Sequence, residues 1–137
     1  MTIADFRLIL VQTVTMDKTQ FKSRTQSFAI SVATFCKTLP YESIARHYID
    51  QIIRSSASVG ADYGALCRAK SKADFINKMR IVEEEADETM YFLELIAEFY
   101  SNRRKELRLL YKEGNEILAM TVGSINTALK SVKQSAI

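Results

Sequence analysis

The sequence predicts an all-α protein, an antiparallel up-and-down four-helix bundle. The 137 residues include only four glycines and one proline, so long helices are favoured over a turn-rich β fold. From residue 21 onward, apolar residues recur at steps of three and four, which is the spacing of an amphipathic helix. The connections between the periodic stretches are short, and short connections place consecutive helices side by side in opposite directions.

Two patterns compete in residues 1–20. Ile3, Phe6 and Leu10 fit one face of a helix, whereas alternation through Leu8 fits a strand. We expect this segment to form an N-terminal extension that covers the bundle or a neighbouring subunit. The segment therefore stands apart from the bundle in the predicted organisation.

The first two helices are predicted on either side of Pro40. Proline cannot supply the next amide of a helix, so the first helix is predicted to run from residue 21 and to stop at Leu39. The second is predicted from about Glu42 to Arg68, and its core face carries Ser, Ala and Gly where Leu is usual. Such small residues let a neighbouring helix approach closely. The core-facing positions of these two helices are Phe21, Phe28, Val32, Phe35, Leu39, Ala45, Tyr48 or Ile49, Ile52, Ser56, Val59, Tyr63 and Leu66.

The third and fourth helices complete the bundle. Ser71 is predicted to cap the third helix, with Asp74 three residues later completing a near-capping-box, and Ser101 or Asn102 to cap the fourth. The bundle is predicted over residues 21–133, and residues 134–137 are expected to fray. The core-facing positions are Phe75, Met79, Val82, Ala86, Met90, Leu93, Ile96, Tyr100, Leu107, Leu110, Gly114, Ile117, Thr121, Ile125, Leu129 and Val132.

Length and composition fit one soluble globular domain in the cytoplasm. Hydrophobic residues make up 47% and charged residues 26% of the chain. No window resembles a secretory signal or a membrane span. We therefore expect a cytoplasmic protein in which Cys36 and Cys67, both on apolar faces, are reduced and buried.

Charge is unevenly distributed along the chain. Residues 22–80 carry a net charge of +6, residues 81–100 carry −7, and residues 101–137 carry +4. In an antiparallel bundle this distribution gives two basic ends with an acidic band between them, and basic ends are the electrostatic footprint of phosphate binding. A solvated surface, with some basic residues placed by the helix dipole, is the alternative. The residues that we expect to contact phosphate are Arg46, Arg54, Arg68, Lys70, Lys72, Arg103 and Arg104.

Enzymatic chemistry is poorly supported by the motifs. The acidic run from Glu83 to Glu88 places carboxylates at i,i+4 spacing, as in all-α nucleotide pyrophosphohydrolases, but no facing helix offers a matching acidic set. The single histidine, His47, excludes paired Glu-x-x-His di-iron sites, and two cysteines on separate helices have no zinc-ligand spacing. We therefore expect no catalytic residues, no metal and no cofactor.

One long stretch of the chain resembles a known family. The residues that carry the resemblance are Leu39-Pro40, Glu42, Gln51-Ile52, Arg54-Ser55, Ser58-Val59-Gly60-Ala61, Tyr63, Arg68-Ala69, Ser71, Asp74-Phe75-Ile76, Lys78-Met79, Glu84-Glu85-Ala86-Asp87-Glu88-Thr89 and Leu93-Glu94-Leu95. They resemble the four-helix-bundle family of 23S rRNA intervening-sequence proteins. The resemblance implies cyclic homo-oligomers, usually pentamers. It also implies a relation to accessory proteins of diversity-generating retroelements, whose basic pentamers bind nucleic acid and a reverse transcriptase.

Together these observations favour a non-catalytic, oligomeric helical protein that binds nucleic acid through its basic ends. Structured RNA is the expected ligand, and other RNA or DNA is the alternative. Arg54 lies inside the family motif, so it is expected either to contact phosphate or to pair with a carboxylate at a subunit interface. A structural or protein-docking module without a nucleic-acid partner is the first alternative. A metal-dependent nucleotide pyrophosphohydrolase built on Glu84, Asp87 and Glu88 is the second.

Overall fold

A computed structural model describes residues 18–135, which form four α-helices and no strand, so the all-α prediction is confirmed. The helices are α1 (Lys18–Cys36), α2 (Ala45–Ala65), α3 (Lys72–Phe99) and α4 (Arg104–Ser135), and short 3₁₀ turns at Leu66–Arg68 and Ser101–Arg103 follow α2 and precede α4. The predictions for residues 1–17, for residues 136–137 and for the Cys67 side chain lie outside the described residues. None of the four helices has a stretch both long and apolar enough to cross a membrane.

Each helix packs against two others, in the ring order α1, α2, α3, α4. Phe21 at the start of α1 contacts Tyr63 near the end of α2, with ring centroids 4.4 Å apart. Tyr48 near the start of α2 contacts Phe99 at the end of α3, with centroids 5.7 Å apart. These contacts join the beginning of one helix to the end of the next, which is the order that the predicted antiparallel bundle requires.

The bundle has two ends, which differ in their connections. The proline end holds residues 37–47, with the loop between α1 and α2, and residues 99–108, with the turn between α3 and α4. The serine end holds residues 66–72, between α2 and α3, together with the start of α1 and the last turns of α4. Most candidate phosphate-binding residues lie at one of these ends.

Most of the predicted core positions are buried, but Phe75, Tyr100 and Leu110 are only partly buried and two positions at the end of α4 are exposed. Leu129 is 36% exposed and Val132 is 40% exposed. Arg24 of α1 lies against Met120 of α4, with Nη1 3.7 Å from Sδ, and the described part of α1 begins only six residues before Arg24. The last turns of α4 therefore extend beyond the part of α1 that the structure describes.

The small residues of α2 allow a close approach to α3, as predicted. Ser55, Ser56 and Thr89 are buried among apolar side chains. The Thr89 hydroxyl lies 2.8 Å from Ser55 Oγ and 2.8 Å from the Glu85 carbonyl oxygen, so its hydrogen-bonding capacity is satisfied inside the core. A polar pair at this seam costs little because both hydroxyls have partners.

The two glycines of α2 differ in their surroundings. A Cβ added at Gly60 would lie 3.3 Å from Thr25 Oγ1 of α1, so Gly60 sits where two helices approach closely. A Cβ at Gly64 would meet nothing within 4 Å. Close helix packing therefore accounts for the glycine at Gly60 and not for the one at Gly64.

The ends of α1 and α2 differ from the prediction around Pro40. α1 ends at Cys36, and the Thr38 and Leu39 amides donate to the Phe35 and Cys36 carbonyls in a tight turn. The α region is disfavoured for a residue that precedes proline, which explains an end before Leu39.

α2 begins three residues later than predicted, at Ala45 rather than Glu42. Ile44 precedes it without a capping side-chain hydrogen bond. At the other end, the α-helix stops at Ala65, and the 3₁₀ turn carries the chain on to Arg68.

Helix capping follows the prediction at α3 and departs from it at α4. The Asp74 amide donates to Ser71 Oγ at 3.1 Å, as predicted, and the Asp74 carboxylate accepts from the Lys70 amide at 3.0 Å. Ser101 and Asn102 lie inside the 3₁₀ turn instead of capping α4. The residue before that turn, Tyr100, makes no capping side-chain bond.

Candidate nucleic-acid interface

At the proline end, Arg46 and Arg104 lie on the surface and form no ion pair within residues 18–135. Lys37, Lys105 and Arg108 are likewise exposed at this end. Guanidinium and ammonium groups without a carboxylate partner are available to a phosphate backbone.

Arg103 is engaged within the fold, although it neighbours Arg104. Its Nη2 donates to Thr38 Oγ1 at 2.7 Å, and its Nε donates to Glu106 Oε1 at 2.8 Å. Its guanidinium carbon lies 4.8 Å from the centre of the Phe35 ring, within cation–π range. The hydrogen bond with Glu106 raises the pKa of Arg103 and lowers the pKa of the Glu106 carboxyl. Arg103 therefore ties the start of α4 to the end of α1.

The serine end gathers Arg68, Lys70 and Lys72, the three predicted candidates around the α2–α3 connection. Arg68 and Lys70 are exposed and form no ion pair among the described residues, whereas Lys72 donates to Ser131 of α4. The Asp74 carboxyl nearby has a lowered pKa, because Lys78 donates to it and the Lys70 amide adds a second hydrogen bond. Lys130 and Lys133 of α4 add two further exposed cations to this end.

Arg54 does not lie at either end of the bundle. It sits in the middle of α2, where Nη1 lies 3.3 Å from Glu85 Oε2 and Nη2 lies 2.5 Å from Glu88 Oε1. Both carboxylates belong to α3 of the same chain. Burial is the main cause of a raised pKa at the Glu85 carboxyl, and Arg54 opposes that rise. The arginine is thus engaged by the acidic band rather than presented at a basic end.

The acidic run on α3 is divided between two surfaces. Glu85 and Glu88 face Arg54, while Glu84 and Asp87 are exposed. Within residues 18–135, no three His, Cys, Asp or Glu side chains come close enough together to hold a metal ion.

Arg24 of α1 is engaged in ion pairs within the described part of the chain. Its guanidinium pairs with Glu113 and Glu116 of α4, and the side chain is 29% exposed. Those glutamates are three residues apart on α4, and this spacing is the feature of the sequence that could have indicated a shared ion-pair partner. Arg24 therefore joins α1 to α4 and is not counted among the candidate phosphate contacts.

Sequence reasoning missed Lys112, which lies on the same face of α4 as Arg104 and Arg108. The three residues occur at steps of four, so the row was readable from the sequence. Their common position along a groove depends on where α3 lies, which the spacing alone does not reveal.

Comparison with known proteins identifies a protein family and a similar solved structure. Residues 17–123 match the sequence model of the 23S rRNA-intervening sequence protein family. The chain is also similar to a protein of unknown function from the S23 ribosomal protein family of Bacteroides thetaiotaomicron, with 31% sequence identity and a TM-score of 0.73. That alignment covers 81% of this chain and 99% of the other. No curated protein matches the chain significantly.

Proposed function

Because the chain belongs to the family of 23S rRNA-intervening sequence proteins, we propose that it binds structured RNA through the basic ends of its bundle. Phosphate contacts supply the affinity, with little reading of base sequence. The protein acts without a catalytic step, in the cytoplasm. A reverse transcriptase is a further candidate partner, from the resemblance to retroelement accessory proteins.

One observation carries this proposal: three arginines at the ends of the bundle are exposed without an ion pair among the described residues, whereas Arg24 and Arg54 are neutralised. Arg24 and Arg54 each pair with two carboxylates of the facing helix. Arg46, Arg68 and Arg104 are exposed and form no ion pair among the described residues. Uncompensated charge at the ends creates the local positive potential that attracts a polyanion.

Helix dipoles explain part of this pattern and leave part unexplained. Arg68 follows the end of α2 and Lys133 lies in the last turn of α4, where the dipole favours cations. Arg104 and Lys105 lie in the first turn of α4, where the dipole disfavours them. Since helix stability does not account for these two residues, the proline end supports the proposal more strongly.

The binding test is fluorescence anisotropy of a labelled ribosomal RNA hairpin, titrated with the protein over a series of salt concentrations. We expect the logarithm of the association constant to fall linearly with the logarithm of salt, because bound cations release counterions. Each phosphate contact contributes about 0.9 to that slope for duplexes. No measurable binding at low salt would rule out the proposal.

Single charge reversals locate the contacts. Arg104→Glu and Arg68→Glu should each weaken binding and flatten the salt slope by about 1 or more. Arg80→Glu is the matched control, since Arg80 is exposed on α3, forms no ion pair within residues 18–135 and belongs to neither end. An equal loss for all three variants would point to net charge rather than to the ends.

A second candidate function, self-association, is favoured by an apolar groove between α1 and α2. The groove has a volume of about 440 Å³, and small residues such as Ala57 and Gly60 line it. Ile30 and Ile53 flank it and are 60% and 39% exposed. We infer that a second copy of the chain covers this groove, in the homo-oligomer that the family resemblance implies.

Light scattering after size-exclusion chromatography tests self-association. A carboxylate at the groove is costly to bury, so Ala57→Glu and Ile30→Glu should shift the protein towards the monomer. Asn77→Glu is the control, because Asn77 is exposed on α3 away from the groove. A monomeric wild-type protein would exclude self-association as a function. That result would not bear on the proposal that the protein binds RNA.

A further inference from the structure

A groove between α3 and α4 opens beside the proline end. Its volume is about 430 Å³, and its apolar residues include Leu93, Ala97 and Leu107. Leu93 and Leu107 are buried, at 2% and 3% exposure, so the groove has a fixed floor made by the bundle core. An apolar floor with polar groups along its rim is typical of a ligand-binding site.

A row of cations follows one rim of this groove. The row consists of three exposed residues at successive steps of four, Arg104, Arg108 and Lys112. Neighbouring members of the row are therefore separated by about 6 Å along the axis of α4. None of the three forms an ion pair with another described residue. The lining includes one carboxylate, Glu94, so the groove as a whole is positive.

An aromatic ring lies inside the same groove. Tyr111 is 38% exposed, and its hydroxyl donates to Glu94 Oε1 at 3.0 Å. The hydrogen bond holds the tip of the side chain against α3, while part of the residue stays open to solvent. Asn115 lies one turn further along and offers an amide donor and acceptor. The single carboxylate of the groove therefore positions the tyrosine.

We propose that this groove binds a single-stranded segment of nucleic acid, with phosphates along the cationic row and a base stacked on Tyr111. Basic grooves that contain an exposed aromatic ring hold single strands in this way, because every base has a face that stacks. A duplex does not fit, since its bases are already stacked and paired. The inference rests on the proposed function and specifies which form of nucleic acid this surface takes.

The first test uses tryptophan fluorescence, because the chain contains no tryptophan. Tyr111→Trp places a single reporter in the groove, and titration with an oligouridylate should quench its emission through stacking. Tyr91→Trp is the matched control: Tyr91 is 56% exposed on α3 and does not line the groove. Quenching of both variants, or of neither while the RNA binds, would overturn the groove proposal.

The second test compares a single-stranded oligouridylate with an RNA hairpin by anisotropy. Tyr111→Leu should weaken binding of the single strand by about tenfold, the equivalent of one lost stacking contact, and Tyr111→Phe should not. Arg108→Glu combined with Lys112→Glu should weaken it further and reduce the salt slope by about 1.4, at about 0.7 per contact. Hairpin binding by Tyr111→Leu should match the wild type.

The outcomes separate the two proposals. If the wild type binds neither RNA, the proposed function and the groove both fail. If it binds the hairpin and the single strand, but Tyr111→Leu and the double variant bind both as the wild type does, only the groove fails. If Tyr111→Leu weakens binding of the single strand and leaves hairpin binding unchanged, both proposals stand, whereas an equal loss for both RNAs in Tyr111→Leu overturns the groove proposal.

Discussion

At the scale of single residues, Arg103 and Arg104 show what sequence reasoning resolves and what it does not. Their positions in a basic cluster predicted both as phosphate contacts. The structure engages Arg103 with Phe35 of α1 and with Thr38 in the turn that follows α1, and it leaves Arg104 without an ion pair in the described part of the chain. Neighbouring identical residues cannot be told apart by composition, because the difference lies in what a second helix places next to each.

Thermal unfolding followed by circular dichroism tests this difference. We expect Arg103→Ala to lower the melting temperature, because it removes a cation–π contact and two hydrogen-bonded partners. Arg104→Ala should leave the melting temperature unchanged, since surface substitutions away from such contacts have small effects. A larger loss in Arg104→Ala than in Arg103→Ala would contradict the assignment.

The burial of Cys36 was predicted from its apolar face, and burial raises the pKa of its thiol to about 11. In a Cys67→Ser variant at pH 8, about one thiol in a thousand is then ionised, and the thiolate is the reactive form. We expect very slow reaction with a disulfide reagent in native protein and rapid reaction in denaturant. Rapid labelling of the native variant would show that the thiol is accessible.

At the scale of helices, periodicity predicted the elements and most buried positions, whereas their ends were less predictable. α2 has no capping side chain at Ile44, so no residue type marks where it begins. Ser71 does mark the start of α3, and that prediction is confirmed by its bond to the Asp74 amide. Helix ends are predictable when a local side chain satisfies the free amides, and otherwise they depend on the loop.

The two glycines of α2 give a prediction at this scale. Gly64→Ala should increase the free energy of unfolding by about 0.5–1 kcal/mol, because alanine has the higher helix propensity and open space surrounds the position. Gly60→Ala should give no gain, since the new methyl group would lie 3.3 Å from Thr25 Oγ1. Urea denaturation measures the free energy of unfolding of both variants. An equal increase in the two variants would show that α1 shifts to make room for the methyl group at position 60.

At the scale of the whole molecule, the bundle followed from four amphipathic stretches, and the two basic ends followed from where charge falls along them. The α3–α4 groove did not follow, because a groove exists only when two helices lie at a set distance. The sequence pattern alone therefore does not place Tyr111 beside a groove. The residue lies on this groove, partly open to solvent.

The separation of the two ends leads to a prediction about binding. α3 has 28 residues and is about 42 Å long, several times the distance over which physiological salt screens charge. If one RNA spans the bundle, the binding free energies lost in Arg68→Glu and Arg104→Glu should add in the double variant. Anisotropy with a long ribosomal transcript measures this, and a double variant no weaker than the worse single variant would assign binding to one end.

The four seams of the bundle are unequal in extent. Among the described residues, α2 and α3 meet most extensively, and α1 and α4 least, with Arg24 and its two glutamates as a polar bridge across the sparse seam. Partial unfolding of the bundle should therefore start at the seam between α1 and α4. We expect α1 to detach before the other three helices separate. A helix that detaches as a unit can also be exchanged between two copies of the chain. We therefore expect α1 to be the helix through which this bundle forms domain-swapped dimers.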